Sequence, residues 1–192
     1  MKREDVHEVF TKIPNFKTER LLLRPMQMMD AFDMYEYARL QTTTRYLLWS
    51  PHPDLEYTKN YLSFVLGKYR AGDFYDWAIT RLSDGKMIGT CGFARIDPTN
   101  NLGEIGYVVN PAYHNQGYAT EAVRQIIRFG FESLGFHRIE GKYMEGNDAS
   151  FAVMKKCGLR FEGMAKESMF VKGKYRNICT AAILKSEYPK QT

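Results

Sequence analysis

The stretch EIGYVVNPAYHNQGYATEAVRQIIRFGFESLGFHRIE covers residues 104–140 and contains two kinds of pattern. Its first six residues are mostly apolar and β-branched or aromatic, which predicts a strand. A helix is predicted from Gly117 to Leu134, because its small and apolar residues recur on one face: Ala119, Ala122, Val123, Ile126, Ile127, Gly130 and Leu134. Gly135 ends this helix, and HRIEGKY supplies the next strand. The stretch therefore predicts a strand-helix-strand crossover.

The segment HNQGYAT, residues 114–120, lies at the N-terminal end of that helix. The first backbone N–H groups of a helix have no partner within it, and the helix dipole adds positive charge there. Gly117 has no Cβ to block close approach, and Ala119 is small. The segment predicts a cradle for a phosphate-bearing cofactor. A glycine at a helix start is by itself also compatible with a simple turn. Neither G-x-G-x-x-G after a strand nor the P-loop pattern occurs.

The remaining chain predicts a single α/β (α+β) domain over residues 18–192, preceded by an N-terminal arm or short helix over residues 1–17. Its predicted elements follow the order βααβββαβαββ, with one crossover in an otherwise antiparallel pattern. We expect a mixed, mostly antiparallel sheet with helices on both faces. The predicted strands and helices outside the opening stretch are 19–25, 30–38, 54–72, 74–81, 87–94, 147–157 and a final hairpin from 159 to 185.

Composition excludes several classes of protein. The 192 residues are 44% hydrophobic, enough for a sizeable core, yet no apolar run is long enough to cross a membrane. The start MKREDVHEVF lacks the apolar core of a signal peptide, so we expect a cytoplasmic protein. Three scattered cysteines predict reduced thiols and no metal site. The net charge of +5 suits an anionic cofactor, and no nucleic-acid-binding motif accompanies it.

The opening stretch, together with NDASFAVMKKCGLRFEG at residues 147–163, resembles the GNAT superfamily of acetyl-coenzyme A dependent N-acetyltransferases. It looks most like the branch that contains the bacterial ribosomal-protein amino-terminal acetyltransferases. The family's pyrophosphate loop, Q/R-x-x-G-x-G/A, falls on His114, Asn115, Gln116, Gly117, Tyr118 and Ala119. His114 departs from the favoured Gln or Arg, which leaves its side-chain role open. The resemblance runs from about Thr18 to Lys185 and implies the GNAT fold.

The resemblance implies that acetyl-coenzyme A lies in a V-shaped gap between two splayed central strands, GEIGYVV and HRIEGKY. Backbone groups around Val108 and Val109 would bind the pantetheine arm, and residues 114–120, including Thr120, would hold the pyrophosphate. Gly106 independently predicts a bulge, since glycine within a strand often marks one. Packing against a large neighbour is the alternative for Gly106.

The resemblance also implies catalytic residues. Glu104 matches the family's frequent base, although it could be a solvated residue at a strand start. Ser150 matches the hydroxyl near the sulfur, and Asn147 would hold the pantetheine amide. A helix cap is the alternative for this NDAS segment. Tyr143 or Tyr118 could instead be the general acid.

The acceptor is expected to be the amino terminus of a protein such as a ribosomal protein, attacked directly in a ternary complex. A small amine, amino acid or antibiotic is the alternative, and a non-catalytic CoA-binding module is a further one. Trp49 could hold a peptide end or plug the core. Other candidate contacts are Arg24 and Arg45 for the acceptor, and Lys155 and Lys156 for the 3′-phosphate. We expect no metal, no membrane and no specific nucleic acid, and either a monomer or a homodimer.

Overall fold

The computed structural model describes residues 3–189, so residues 1–2 and 190–192 of the two expected segments lie outside the described residues. Six α-helices are present in this range: α1 Arg3–Thr11, α2 Ala31–Ala38, α3 Gln41–Thr44, α4 Leu55–Arg70, α5 Tyr118–Glu132 and α6 Asp148–Lys156. The strands are β1 Phe16–Lys17, β2 Leu21–Arg24, β3 Asp76–Arg81, β4 Met87–Asp97, β5 Leu102–Val109, β6 Arg138–Met144, β7 Arg160–Val171 and β8 Lys174–Leu184.

All eight strands form one sheet in the order β1-β2-β3-β4-β5-β6-β8-β7. Every neighbouring pair is antiparallel except β5 and β6, which are joined by the α5 crossover and run parallel. Helices cover both faces of the sheet. The fold expected from the sequence, a mixed and mostly antiparallel sheet between helices, is confirmed.

The parallel pair β5–β6 is short. It runs from Leu102 opposite Arg138 to Ile105 opposite Gly141 and then stops. Both strands continue, β5 to Val109 and β6 to Met144. The two central strands therefore part after four residue pairs and open a V-shaped gap.

The bulge predicted at Gly106 is wrong, because Gly106 pairs regularly with Gly92. The register shifts on β4 instead, where Phe93 lies opposite Ile105 and Arg95 opposite Glu104, so that Ala94 is the extra residue. A Cβ on Gly106 would meet only atoms of Ala94, at 3.4 Å and beyond. Packing against a large neighbour is therefore excluded as well, and the absent side chain leaves open space above the sheet.

Two hydrophobic cores sandwich the sheet. One lies beneath α5 and contains the buried stripe of that helix together with residues such as Trp77, Ile105 and Ile139. The other lies beneath α2 and α4 and includes Met34, Leu62, Val65 and Tyr69. Because side chains alternate along a strand, Ile105 faces α5 and Val108 packs against the α2–α4 core.

The N-terminal segment forms a helix, α1, whose Phe10 is fully buried. The Phe10 ring contacts those of Tyr75, Trp77 and Phe129 edge-on, with centroids 4.7 to 6.2 Å apart. The expected division between an arm and a domain at residue 18 stays a prediction. Strand β1 and helix α3 had no counterpart in the expected element order. At two and four residues, both are too short to carry a periodic pattern.

Two helical glycines give a test of packing. A Cβ at Gly130 would lie 2.8 Å from Ile139 Cδ1 and 3.0 and 3.1 Å from two phenylalanine rings, whereas at Gly67 its nearest contact is 3.9 Å away. We expect Gly130→Ala to lower the free energy of unfolding by about 1–3 kcal/mol through overpacking. Gly67→Ala should raise it by about 0.5–1 kcal/mol through helix propensity. Urea unfolding of both variants measures this, and equal effects would contradict the packing of α5 on β6.

Candidate active site

The loop before α5 leaves a run of backbone donors without acceptors. The first hydrogen bond of the helix runs from Glu121 N–H to the Gly117 carbonyl, and His114 N–H donates to the Pro111 carbonyl. Between them, the N–H groups of residues 115–120 donate to no acceptor in the described part of the chain. Six consecutive donors at a helix N-terminus form an anion-binding site.

The backbone of this loop is curled so that its donors converge. Asn115 and Gly117 both have left-handed conformations, with φ of 59° and 82°. Left-handed residues interspersed in a turn make a concave arrangement of N–H groups that suits a phosphate. Gly117 adopts its φ without the steric cost that a side chain adds. Both predicted features of the segment, the glycine and the bare backbone, therefore meet in one cradle.

Arg20 and Glu121 brace the cradle from the side. The Arg20 guanidinium donates to the Gln116 carbonyl at 2.9 Å and to the Glu121 carboxylate at 2.7 Å. Glu121 also accepts from the Thr18 hydroxyl and the Arg20 backbone N–H. Burial raises the pKa of Glu121, but these hydrogen bonds together hold it below its usual value. The paired carboxylate stays ionised, and the cation close to the cradle compensates its charge.

His114 supports the loop and not the cradle. Its Nε2–H donates to the carbonyl of Val109, 2.8 Å away, at the end of β5. This bond ties the loop back to the strand that precedes it. The side-chain role that the sequence left open at this position is therefore a structural one.

The register of β5 shows which backbone groups face the gap. Asn110 N–H donates to the Ile88 carbonyl of the neighbouring β4 segment. Because backbone groups alternate between the two edges of a strand, Val108 turns the same way as Asn110, and Tyr107 and Val109 turn toward the gap. The predicted pair Val108 and Val109 is thus split between the two edges. The assignment of pantetheine contacts stays a prediction.

A basic groove continues from the cradle between α5 and α6. Its volume is about 960 Å³. Six cations line it: Arg20, Arg124, Arg128, Lys155, Lys156 and Arg160. Arg124 also donates to the Lys156 carbonyl, so the last turn of α6 is fixed against α5. Lys155 and Lys156, the candidates for the 3′-phosphate, line the same groove as Gly117 of the cradle, and their role stays a prediction.

Asn147 and Ser150 lie at the start of α6. Asn147 is the N-cap and accepts from the Ser150 backbone N–H at 3.3 Å. The alternative interpretation of this segment as a helix cap is therefore confirmed. The Asn147 side-chain NH₂ group has no hydrogen-bond partner among the residues that the structure describes, so one residue can both cap the helix and donate to a ligand.

Tyr107 is the residue that sequence reasoning missed. Its hydroxyl lies 2.9 Å from the Ser150 hydroxyl and donates to the Ser150 carbonyl at 2.7 Å. Burial raises the pKa of Tyr107, so the phenol stays protonated. The strand alternation that turns its backbone to the gap was readable from the sequence, but its contact with α6 was not. Tyr107 and Ser150 form a pair of hydroxyls beside the gap.

Glu104 lies opposite Glu140, in the third of the four residue pairs that join β5 and β6 before the strands part. Its carboxylate accepts from Lys142 Nζ at 2.7 Å and lies 3.7 Å from Arg95. The side chain is 18% exposed, so Glu104 is not the freely solvated residue of the alternative reading. Burial lowers the pKa of Lys142, but its hydrogen bonds to the carboxylates of Glu104 and Glu140 and their charges outweigh this and raise it, so Lys142 stays charged.

The other aromatic candidates each pack against a neighbouring side chain. Tyr143 is buried, stacks on Phe151 and bonds Cys179, and burial raises its pKa to about 12. Tyr118 lies under the Arg20 guanidinium. Trp49 packs against the α2–α4 core beside the buried His52.

The two arginine candidates differ. Arg24 forms a two-pronged ion pair with the buried Asp30, at 2.6 and 2.8 Å, and so has a structural partner. Arg45 lines a separate cavity of about 540 Å³ near the ends of β6 and β8. Among residues 3–189, no cluster of three His, Cys, Asp or Glu side chains could hold a metal ion. No helix in that range is long and apolar enough to cross a membrane.

Comparison with known proteins gives the family. The profile of the acetyltransferase (GNAT) domain matches residues 20–160. An uncharacterized N-acetyltransferase of Bacillus licheniformis, p20, is 31% identical over 171 residues, which are 89% of this chain and 96% of that protein. The chain belongs to the GNAT family, and it is an acetyl-coenzyme A dependent acyltransferase.

Solved structures agree. A GNAT-family acetyltransferase from Bacillus anthracis superposes with a TM-score of 0.82 at 28% identity, over 91% of this chain and all of that one. RimL, the ribosomal L7/L12 alpha-N-protein acetyltransferase in complex with coenzyme A, superposes with a TM-score of 0.74 at 20% identity. That match covers 89% of this chain and 98% of RimL and shows a common fold.

Gly117→Ala tests the cradle. The added methyl forces a side chain into a left-handed conformation and would lie 3.3 Å from the Arg20 guanidinium. We expect coenzyme A to bind at least about 10-fold more weakly, measured by calorimetry. Gly173→Ala is the matched control, because Gly173 has a φ of 78° and open space around it. The assignment fails if the two variants bind coenzyme A equally well.

Proposed function

We propose that the protein transfers the acetyl group of acetyl-coenzyme A directly to a primary amine within a ternary complex. The observation that carries this proposal is the run of six unpaired N–H groups at residues 115–120, set at the mouth of the V-shaped gap. The donors suit the pyrophosphate of the cosubstrate, and the basic groove suits its 3′-phosphate. The bound thioester supplies an activated acetyl carbon for the amine.

The residues around the gap have distinct roles in the proposal. Tyr107 and Val109 offer backbone N–H groups to the pantetheine arm, and Asn147 offers its free NH₂ group. The hydroxyl pair of Ser150 and Tyr107 supplies a proton to the departing thiolate. A thiol resembling free cysteine has a pKa of about 8.5, so this proton assists release without being essential.

Glu104 is the proposed base and takes the amine proton through water. Its carboxylate lies 2.7 Å from Lys142 Nζ and 3.7 Å from Arg95. An α-amine, with a pKa of about 7.7 to 8.0, loses its proton near neutral pH more readily than a lysine side chain at about 10.4, so it is the easier acceptor.

This favours the amino terminus of a protein as the acceptor. The fold shared with RimL, the ribosomal L7/L12 alpha-N-protein acetyltransferase, supports the same assignment. A small amine is the second candidate. It is favoured by the compact cavity of about 540 Å³, which is large enough for a small ligand and is lined by Glu145 and Glu167 as well as by Arg45 and Arg176.

The acceptor class is tested by incubating the protein with acetyl-coenzyme A and two panels, peptides with free amino termini and small primary amines. We expect a mass increase of one acetyl group on peptides, selected by their first residues, since an α-amine is the easier one to deprotonate. Acetylation confined to the small amines would overturn the peptide assignment. A protein that binds coenzyme A but acetylates neither panel would be a binding module.

Glu104→Gln tests the base. We expect kcat to fall by at least about 10²-fold, because general base catalysis is worth that much. The affinity for coenzyme A should stay unchanged, since Glu104 lies outside the cradle. Steady-state kinetics and calorimetry measure the two quantities.

Glu162→Gln is the control for this substitution. Glu162 belongs to the same surface charge network through Arg138, but β8 separates its strand from β6. Its variant should keep the parent rate. Parent-level turnover by Glu104→Gln across the pH range would remove Glu104 from the mechanism.

A further inference from the structure

Asp76 is an acidic residue of the sheet that has no role in the proposed acetyl transfer. It begins β3 and lies opposite Gly92 of β4, which in turn lies opposite Gly106 of β5. Gly106 is the first residue of β5 beyond the last pair with β6. One row across three strands therefore leads from Asp76 to the point where the central strands part.

The two glycines of this row differ. A Cβ on Gly92 would clash with the Tyr75 carbonyl oxygen and lie 2.9 Å from the Asp76 carboxylate oxygen, so β3 and this carboxylate cover Gly92. Above Gly106 a Cβ would meet only Ala94. Strands lie about 4.8 Å apart, so Asp76 Cα is roughly 10 Å from Gly106 Cα, and the carboxylate extends into that interval.

Asp76 has polar neighbours but no counter-ion. Its carboxylate accepts from the Trp77 backbone N–H at 3.1 Å and bonds the Thr90 side chain. The ionisable groups that act on it or feel its charge are Tyr61 and Tyr69 of α4, Tyr37 of α2 and the Cys91 thiol. No Lys, Arg or His in the described range forms an ion pair with it. Burial raises the pKa of Asp76 to about 7.

A carboxylate that has no counter-ion and lies near tyrosine side chains is suited to bind an ammonium group. The opposite face of the sheet at this row is filled by the α5 core, including Ile105, whereas Gly106 leaves space on the α2–α4 face. We propose that Asp76 binds the acceptor, pairing with the ammonium group of an aliphatic amine that enters over Gly106. This assignment rests on the proposed acetyl transfer, and proton removal stays with Glu104.

Asp76→Asn keeps the size of the side chain and its bonds to Trp77 and Thr90. We expect the KM for the acceptor to rise at least about 10-fold. The dissociation constant for acetyl-coenzyme A should stay unchanged. Because pairing needs the ionised carboxylate, acceptor affinity in the parent should rise as the pH rises through about 7, and the variant should lose this dependence.

Stability separates this role from a structural one. The raised pKa means that the folded state favours protonated Asp76, so the parent loses stability as the pH rises from the ordinary value of 3.8 toward about 7. Asp76→Asn removes that loss and should unfold at the parent temperature or above it at about pH 8. A variant that unfolds earlier and loses coenzyme A binding as well would show a structural residue and overturn the proposal.

Binding without turnover completes the test. Saturation-transfer NMR on coenzyme A-loaded protein compares 1,4-diaminobutane with 1,4-butanediol, and an alanine-started hexapeptide with its N-acetylated copy. We expect the parent to prefer the charged member of a pair and Asp76→Asn to lose that preference. Asp73→Asn, which removes an exposed carboxylate from the loop between α4 and β3, should retain the preference for the charged probe.

The two proposals fail separately. If the parent acetylates no amine yet prefers the charged probes through Asp76, the acceptor site stands and acetyl transfer falls. If the parent acetylates amines and Asp76→Asn leaves KM, the pH dependence and probe preference unchanged, the assignment of Asp76 falls alone.

Discussion

The short parallel pairing of β5 with β6 is the constraint on which the rest of the site depends. Four residue pairs hold the strands together, and the sheet then divides while both strands continue. A parallel pair needs a crossover, so α5 must follow β5 and begin at the mouth of the division. The unpaired edge of β5 and the unpaired N-terminus of α5 thus come from the same chain path, and both present backbone N–H donors.

The sequence predicted these parts well because each is a local pattern. The apolar stripe of α5 recurs within a single helix, and the glycine of the cradle stands directly before it. The donors of the cradle are backbone groups, so the departure at His114 from the family pattern leaves them in place. The helix cap at Asn147 could likewise be predicted from four consecutive residues, and its role as a ligand donor stays a prediction.

Features that depend on register between distant strands could not be predicted. The extra residue of the bulge is Ala94, which no local signal distinguishes from its neighbours, whereas Gly106 carries the signal and pairs regularly. The contact of Tyr107 with Ser150 joins residues 43 positions apart. Asp76 and Gly106 share a row only because β3, β4 and β5 align in one particular register. Such relations exist only after the strands have paired.

The aromatic contacts of α1 bear on how the chain folds during synthesis. Phe10 leaves the ribosome before the residues that its ring packs against, which are Tyr75, Trp77 and Phe129. Contacts between residues so far apart along the chain form slowly, since a long loop must close first. Until α5 has been translated, the hydrophobic face of α1 lacks Phe129 as a packing partner and can associate with other chains. Helix α1 is therefore synthesised before α5 but buried only after α5 has been made.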